Sequence, residues 1–142
     1  MDSQAIAIEE LKLVQAIISN QENTRLKIMG WGVAAVVAIS VSYLAERINM
    51  PPSSYLGLSV IIIGLFLWLD VIHRVSVDRA IERSATIEQY LRDGGDYDGP
   101  KIGLSMSVSN GLSYQLNAVK NIRVYAPYLA LTGAVLVVYL FH

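Results

Sequence analysis

The sequence has no cysteine among its 142 residues, which excludes a disulfide framework, a thiolate nucleophile and a Cys-based metal site. It has only two histidines, His73 and His142. Charge is also scarce. Only 16% of the residues are Asp, Glu, Lys or Arg, and the net charge is −1. A nucleic-acid-binding surface normally carries a strong basic excess, so no nucleic-acid partner is expected. A Gly-rich phosphate loop, a metal-ligand spacing and a hydrolase elbow are all missing. The first 27 residues are of mixed charge and lack an apolar core followed by a small-residue cleavage site, so no cleaved signal peptide is expected.

Apolar side chain, by contrast, is abundant: 54% of the residues are hydrophobic. A domain this small leaves about a third of its unfolded-chain surface exposed and cannot hide so much apolar material inside itself. Lipid is the solvent that accommodates it. Ile28 to Ala45, Tyr55 to Leu69 and Val124 to Phe141 are the long stretches without a charge. At about 1.5 Å per residue each covers most of a hydrocarbon core of about 30 Å, the second once Asp70, Val71 and Ile72 are counted. Helices in the core of a soluble bundle carry a polar face, and these stretches have none. Trp31 and Tyr43, Tyr55 and Trp68, and Tyr125, Tyr128 and Tyr139 stand near the ends of the three stretches, as the aromatic belts of membrane proteins do.

The fold class expected is therefore all-α: an integral membrane protein with three transmembrane helices and a helical cytoplasmic extension. The chain is read as one membrane module. Residues 1–27 form a cytoplasmic amphipathic helix, 28–45, 55–72 and 124–141 the spans, 46–54 an outer hairpin, and 73–123 a cytoplasmic helix-loop-helix. Orientation follows from Lys and Arg, which accumulate on the cytoplasmic side of short loops. Arg47 alone lies in the outer hairpin, and the other ten of the eleven basic residues lie in the segments before the first span and after the second. The N-terminus is then cytoplasmic and the C-terminus outside, in a bacterial inner membrane.

Ala7, Leu11, Val14 and Ile18 recur at helical spacing, with Glu9, Glu10 and Lys12 on the flank. The Pro51-Pro52 pair ends one helix and lets Ser53 or Ser54 cap the next. After the second span Val77, Ala80, Ser84, Ile87 and Leu91 repeat at coiled-coil heptad spacing, so the span should continue as one long helix to the Asp93-Gly94-Gly95 breaker. That stripe serves packing within the subunit or between subunits. Leu112, Leu116 and Val119 start a shorter helix that leads into the third span.

Nucleophilic catalysis needs a nucleophile, a base and an orienting group. His73 and His142 fall on opposite membrane faces, and an Arg followed several residues later by His, as ribonucleases of the HEPN type need, is absent. No enzymatic activity and no cofactor are expected. The acidic loop of Asp93, Asp96, Asp98 and Gly99 fails as an EF-hand, because Gly94 and Ser105 fall where the first ligand and the final Glu belong. It is read as a solvated turn, and no metal site is assigned.

Asp70, His73 and Arg74 form a charge cluster at the inner membrane boundary. Such a cluster can relay protons or hold a phosphate headgroup. The plainer reading, preferred here, is an interfacial salt bridge from Asp70 to Arg74, one turn on, with a snorkelling Arg.

Near the middle of the spans there is no charged residue and the polar ones are few, Ser40, Ser59 and Thr132, so a single copy encloses no polar route and any pore needs several copies. Gly30, Ala34, Ala38 and Ser42 form a small-residue stripe on the first span, and Ala126, Ala130 and Ala134 another on the third. Such stripes allow close backbone approach between helices in lipid. Part of this surface must serve the subunit itself, and the rest is available to neighbours.

The layout, with an amphipathic N-terminal helix ending in Arg25 and Lys27, a tight two-span hairpin, an extension through Arg74 and Arg79 to Leu91 and a third span, resembles small bacterial inner-membrane proteins of the RipA type. It resembles less closely the SLATT membrane effectors and the CRISPR-associated membrane pore proteins of phage defence. The third span departs from the two usual in SLATT proteins. The likeness is one of layout. It implies a ring-shaped homo-oligomer with a cytoplasmic vestibule, which would make the chain a defence-associated pore or membrane-perturbing effector. A scaffold that recruits a soluble protein partner through its cytoplasmic helices is the other reading.

Overall fold

A computed structural model describes residues 3–94, 97, 99–102 and 122–141, and these are helical almost throughout. Helix α1 runs from Ser3–Leu44 and α2 from Pro52–Asp93, each 42 residues long. Helix α3 spans Ile122–Phe141, 20 residues. At 1.5 Å per residue the first two are about 63 Å long, roughly twice a hydrocarbon thickness, and α3 is about 30 Å, close to one. All three helices are long and apolar enough to cross a membrane.

The turn between α1 and α2 is tight. Glu46 takes the left-handed conformation (φ 53°), the Arg47 N–H bonds to the Ser42 carbonyl at 3.1 Å, and the Glu46 N–H bonds to the Tyr43 carbonyl at 3.0 Å. These are the two bonds of a Schellman cap, with Glu where Gly is usual. The start of α2 differs from expectation. Pro51 occupies the N-cap position, Pro52 opens the helix, and no side chain caps it. Proline's fixed φ suits the first helical position and its missing N–H needs no partner there, so Ser53 and Ser54 sit inside the first turn rather than capping it. At the other end α2 stops where the glycine pair predicts: Gly94 is left-handed (φ 69°) and its N–H returns to the Tyr90 carbonyl.

Helices α1 and α2 lie antiparallel along most of their length, and α3 packs mainly on α2. In the apolar half the core is Val36, Tyr43, Tyr55, Ile63, Tyr128 and Val135. Close approach of α1 to α2 depends on Gly32, where an added Cβ would lie 3.1 Å from Phe66 Cγ. In the other half Ala7 and Val14 of α1 pack on Ala80 and Ile87 of α2, with Leu91 partly buried against them. Val77 is buried too. The heptad stripe is therefore used within the subunit. The expected helix of Leu112, Leu116 and Val119 and the Asp96 and Asp98 part of the acidic loop lie outside the described residues.

The aromatic residues divide. Trp31 and Trp68 are exposed, as belt residues should be, but Tyr43, Tyr55 and Tyr128 are buried. Tyr43 and Tyr55 stack with centroids 4.4 Å apart, and the Tyr128 hydroxyl donates to the Phe66 carbonyl. These three tyrosines are core residues, because a ring at a helix-helix seam gains packing that a ring at the surface forgoes.

Candidate functional site

Polar side chains concentrate at two levels along the α1/α2 seam. The first surrounds Glu10, whose place beside the apolar stripe suggested a solvated flank. It is instead 2% exposed. Its carboxylate accepts four hydrogen bonds: from Arg83 Nε at 2.9 Å and the Lys101 N–H at 3.0 Å on Oε1, and from Arg83 Nη2 at 2.8 Å and the Tyr97 hydroxyl at 2.5 Å on Oε2. Arg83 Nη2 also donates to the Gly99 carbonyl at 2.9 Å. Gly99 has φ 81°, a conformation that an L side chain strains to adopt. The loop after α2 is thus clipped to the helix pair through Tyr97, Gly99 and Lys101.

The electrostatics follow from this saturation. Burial pushes the Glu10 pKa up, but the bonds from Arg83, Tyr97 and the Lys101 N–H outweigh it, and the carboxyl is held below its ordinary 4.5. Burial, and then the hydrogen bond to Glu10 and its charge, push the Tyr97 hydroxyl up to about 12.

The second level lies where the candidate spans of α1 and α2 end, away from the hairpin. The structure places Asp70, His73 and Arg74 there on α2, but gives each a different partner. Asp70 receives Arg25 of α1 in a two-pronged ion pair, Nε to Oδ1 at 2.7 Å and Nη2 to Oδ2 at 3.3 Å. His73 Nδ1 is 2.6 Å from Gln21 Oε1. Arg74 pairs with Asp78 at 2.8 Å, and its Nε is buried without a hydrogen-bond partner. The Asp70–Arg74 bridge expected from their spacing is therefore replaced by a bridge between helices. Arg25 presents two parallel N–H groups to a carboxylate that is almost wholly buried at the seam, a geometry that a neighbour one turn along the same helix does not match.

The small-residue positions are oriented clearly. Gly30, Ala34 and Ala38 of α1, and Ala126, Ala130 and Ala134 of α3, are all exposed, and Ser42 is half-buried. Gly32, outside the stripe, makes the close approach to α2. Within the spans Ser40 Oγ bonds to the Val36 carbonyl and to the Tyr55 hydroxyl, Thr132 bonds back to the Tyr128 carbonyl, and the buried Ser59 hydroxyl has no partner. A lone hydroxyl pair and a backbone-satisfied Thr do not make a polar path through one copy.

Among the described residues no group of three or more His, Asp and Glu is placed to hold a metal ion. No protein-family model, curated protein or solved structure matches the chain.

Proposed function

We propose that the chain is a bacterial inner-membrane protein of three spans. Its N-terminus and the segment after α2 are cytoplasmic, and it acts without catalysis as a homo-oligomer that forms a pore or otherwise perturbs the bilayer. The observation that carries this reading is the outward placement of both small-residue stripes. Had Gly30, Ala34 and Ala38 packed against α2, they would be accounted for within the subunit. They remain on the surface, where small side chains let a second backbone approach and gain dispersion contact. The interior of one copy is filled by valine, isoleucine and tyrosine, so conduction would run between copies. A role in defence rests on the resemblance in layout.

A scaffold that recruits a soluble partner is the second reading, favoured by Ile8, Leu13 and Ile81, which are exposed on the half of the helix pair read as cytoplasmic. Purified protein in liposomes separates the two. The pore reading expects conductance above that of empty vesicles and an oligomeric particle in nanodiscs. It also expects Ala34→Leu or Ala38→Leu to shift the mass distribution to smaller species, while Val37→Leu does little. A monomeric, non-conducting particle overturns it.

A further inference from the structure

The middle of α1, the middle of α2 and the first turns of α3 do not close on one another. They leave a cleft of about 370 Å³ lined by Glu22, Arg25, Leu26, Met29, Asp70 and Pro127. Its α3 wall is a proline inside a helix, which brings no N–H into the gap. On the three-span reading, on which this inference rests, the cleft opens at headgroup depth.

The lining has two characters. Leu26, Met29 and Pro127 are apolar, and Leu26 is largely exposed at 63%. Among the described lining residues Glu22, Arg25 and Asp70 are charged and sum to a net −1. Asp70 engages Arg25 through Nε and Nη2 only. A guanidinium has five N–H donors, so three remain for another acceptor. Glu22 is exposed and has no hydrogen bond or ion pair among the described residues.

Among the described lining residues a purely anionic headgroup would meet one cation that is already paired and two carboxylates, and like charge would disfavour it. A headgroup bearing both a phosphate and a cation meets both signs. A quaternary ammonium is held by aromatic faces, and the described lining has none. A primary ammonium, with three N–H donors, suits carboxylates. We infer that the cleft between the middle of α1, the middle of α2 and the first turns of α3 binds a zwitterionic phospholipid with a primary-amine headgroup, phosphate on the remaining Arg25 N–H groups and ammonium beside Glu22. The acyl chains then lie over Leu26 and Met29, continuing the apolar surface of the span. A water-soluble glycerophosphoethanolamine shares the headgroup chemistry but lacks the chains.

Native mass spectrometry of the full chain in detergent, titrated with phosphatidylethanolamine, phosphatidylglycerol and phosphatidylcholine of identical chains, tests this. Retention of the ethanolamine lipid should exceed that of the other two by about tenfold or more, the scale of one charge-assisted hydrogen bond. Glu22→Gln should bring the ratio to about twofold or less. The exposed Glu22 side chain makes no bond among the described residues, so this variant should fold normally. Equal retention of the three lipids, or a preference unchanged in Glu22→Gln, overturns the site. Displacement of the lipid by equimolar glycerophosphoethanolamine overturns the lipid assignment. A chain that fails to float with liposomes of any composition overturns the membrane reading beneath it, whereas flotation without headgroup preference overturns this inference alone.

Discussion

The two halves of the α1/α2 hairpin are built from the same two helices but are held together differently. In the half that carries residues 3–27 and 73–93, the seam contains a buried carboxylate with all its bonds made, Glu10 to Arg83, and small apolar contacts such as Ala7 and Ala80. In the half that carries the candidate spans, the seam is glycine against phenylalanine and tyrosine against tyrosine, and its exterior is Val33, Val37, Val41, Val60, Ile61 and Leu65. Arg25–Asp70 sits where the two halves meet. Where water is the solvent, burying apolar surface already drives the helices together, and a charged clip fixes their register. In lipid that drive is absent, and close packing and interhelical bonds must hold the helices.

The largest effect expected is at the clip. Glu10→Ala removes the carboxylate that accepts from Arg83 Nε and Nη2 and balances its charge, and breaking this largely buried ion pair costs about 3–5 kcal/mol. Hydrogen exchange at the Lys101 amide should rise with it, while exchange in the apolar half of α1 stays slow. Equal loosening of both halves would mean that they are not separately held.

The clip should also respond to pH at both extremes. Because the Glu10 pKa is depressed in the fold, its stabilisation is present above the unfolded value of 4.5 and is lost as pH falls through the lower folded value. Tyr97 is raised from 10.0 to about 12, so its contribution is present below pH 10 and is lost as pH rises towards 12. Lys101 amide protection measured across pH should therefore fall at both ends. Protection unchanged below pH 4 would contradict the assignment of Glu10 as the ionised centre.

At the junction, Asp70→Ala should cost less, about 2–3 kcal/mol, since one arm of the pair is long and Arg25 keeps some access to solvent. Arg74→Ala should leave this junction intact, because Arg74 pairs with Asp78. Thermal unfolding in detergent compares the two variants.

In the apolar half Gly32→Ala should cost about 1–3 kcal/mol by pushing its Cβ onto Phe66. Gly30→Ala meets nothing within 4 Å and should leave the monomer unharmed or gain up to about 1 kcal/mol from better helix propensity. Equal losses from both would place Gly30 in a contact between copies. That outcome would sharpen the contrast by assigning lipid-facing positions to a neighbour.

Much of this was legible in the residues. Charge-free stretches and the Gly94-Gly95 breaker locate the helices, because they depend on local composition and on one residue's φ. The pairing across the hairpin was legible in principle. Arg25 and Asp70, Gln21 and His73, and Glu10 and Arg83 are nearly equidistant along the chain from the turn at Arg47, as partners in an unbroken antiparallel pair must be. Reading Asp70 against Arg74 by i,i+4 spacing missed this, since spacing along one helix carries no information about the next. Glu10 was hidden for a related reason. It flanks an apolar stripe, and only the return of the Tyr97 and Lys101 loop turns that flank into an interior. The tyrosines were ambiguous because a ring near a span end serves a headgroup belt or a helix seam equally well, and the face it occupies decides which. Which small residues face inward was equally beyond spacing: Gly32 and Gly30 differ only in which side of α1 meets Phe66.

The central claim is that α1 and α2 cross a bilayer and hold the clipped half inside the cell. The chain has no native cysteine, so single cysteines report without background. Asn49→Cys in the hairpin and Gln89→Cys on an exposed face of α2 leave both polar levels untouched. In intact cells an impermeant thiol reagent should label Asn49→Cys and reach Gln89→Cys only after lysis. Labelling of both positions in intact cells, or of neither until lysis, would contradict the account.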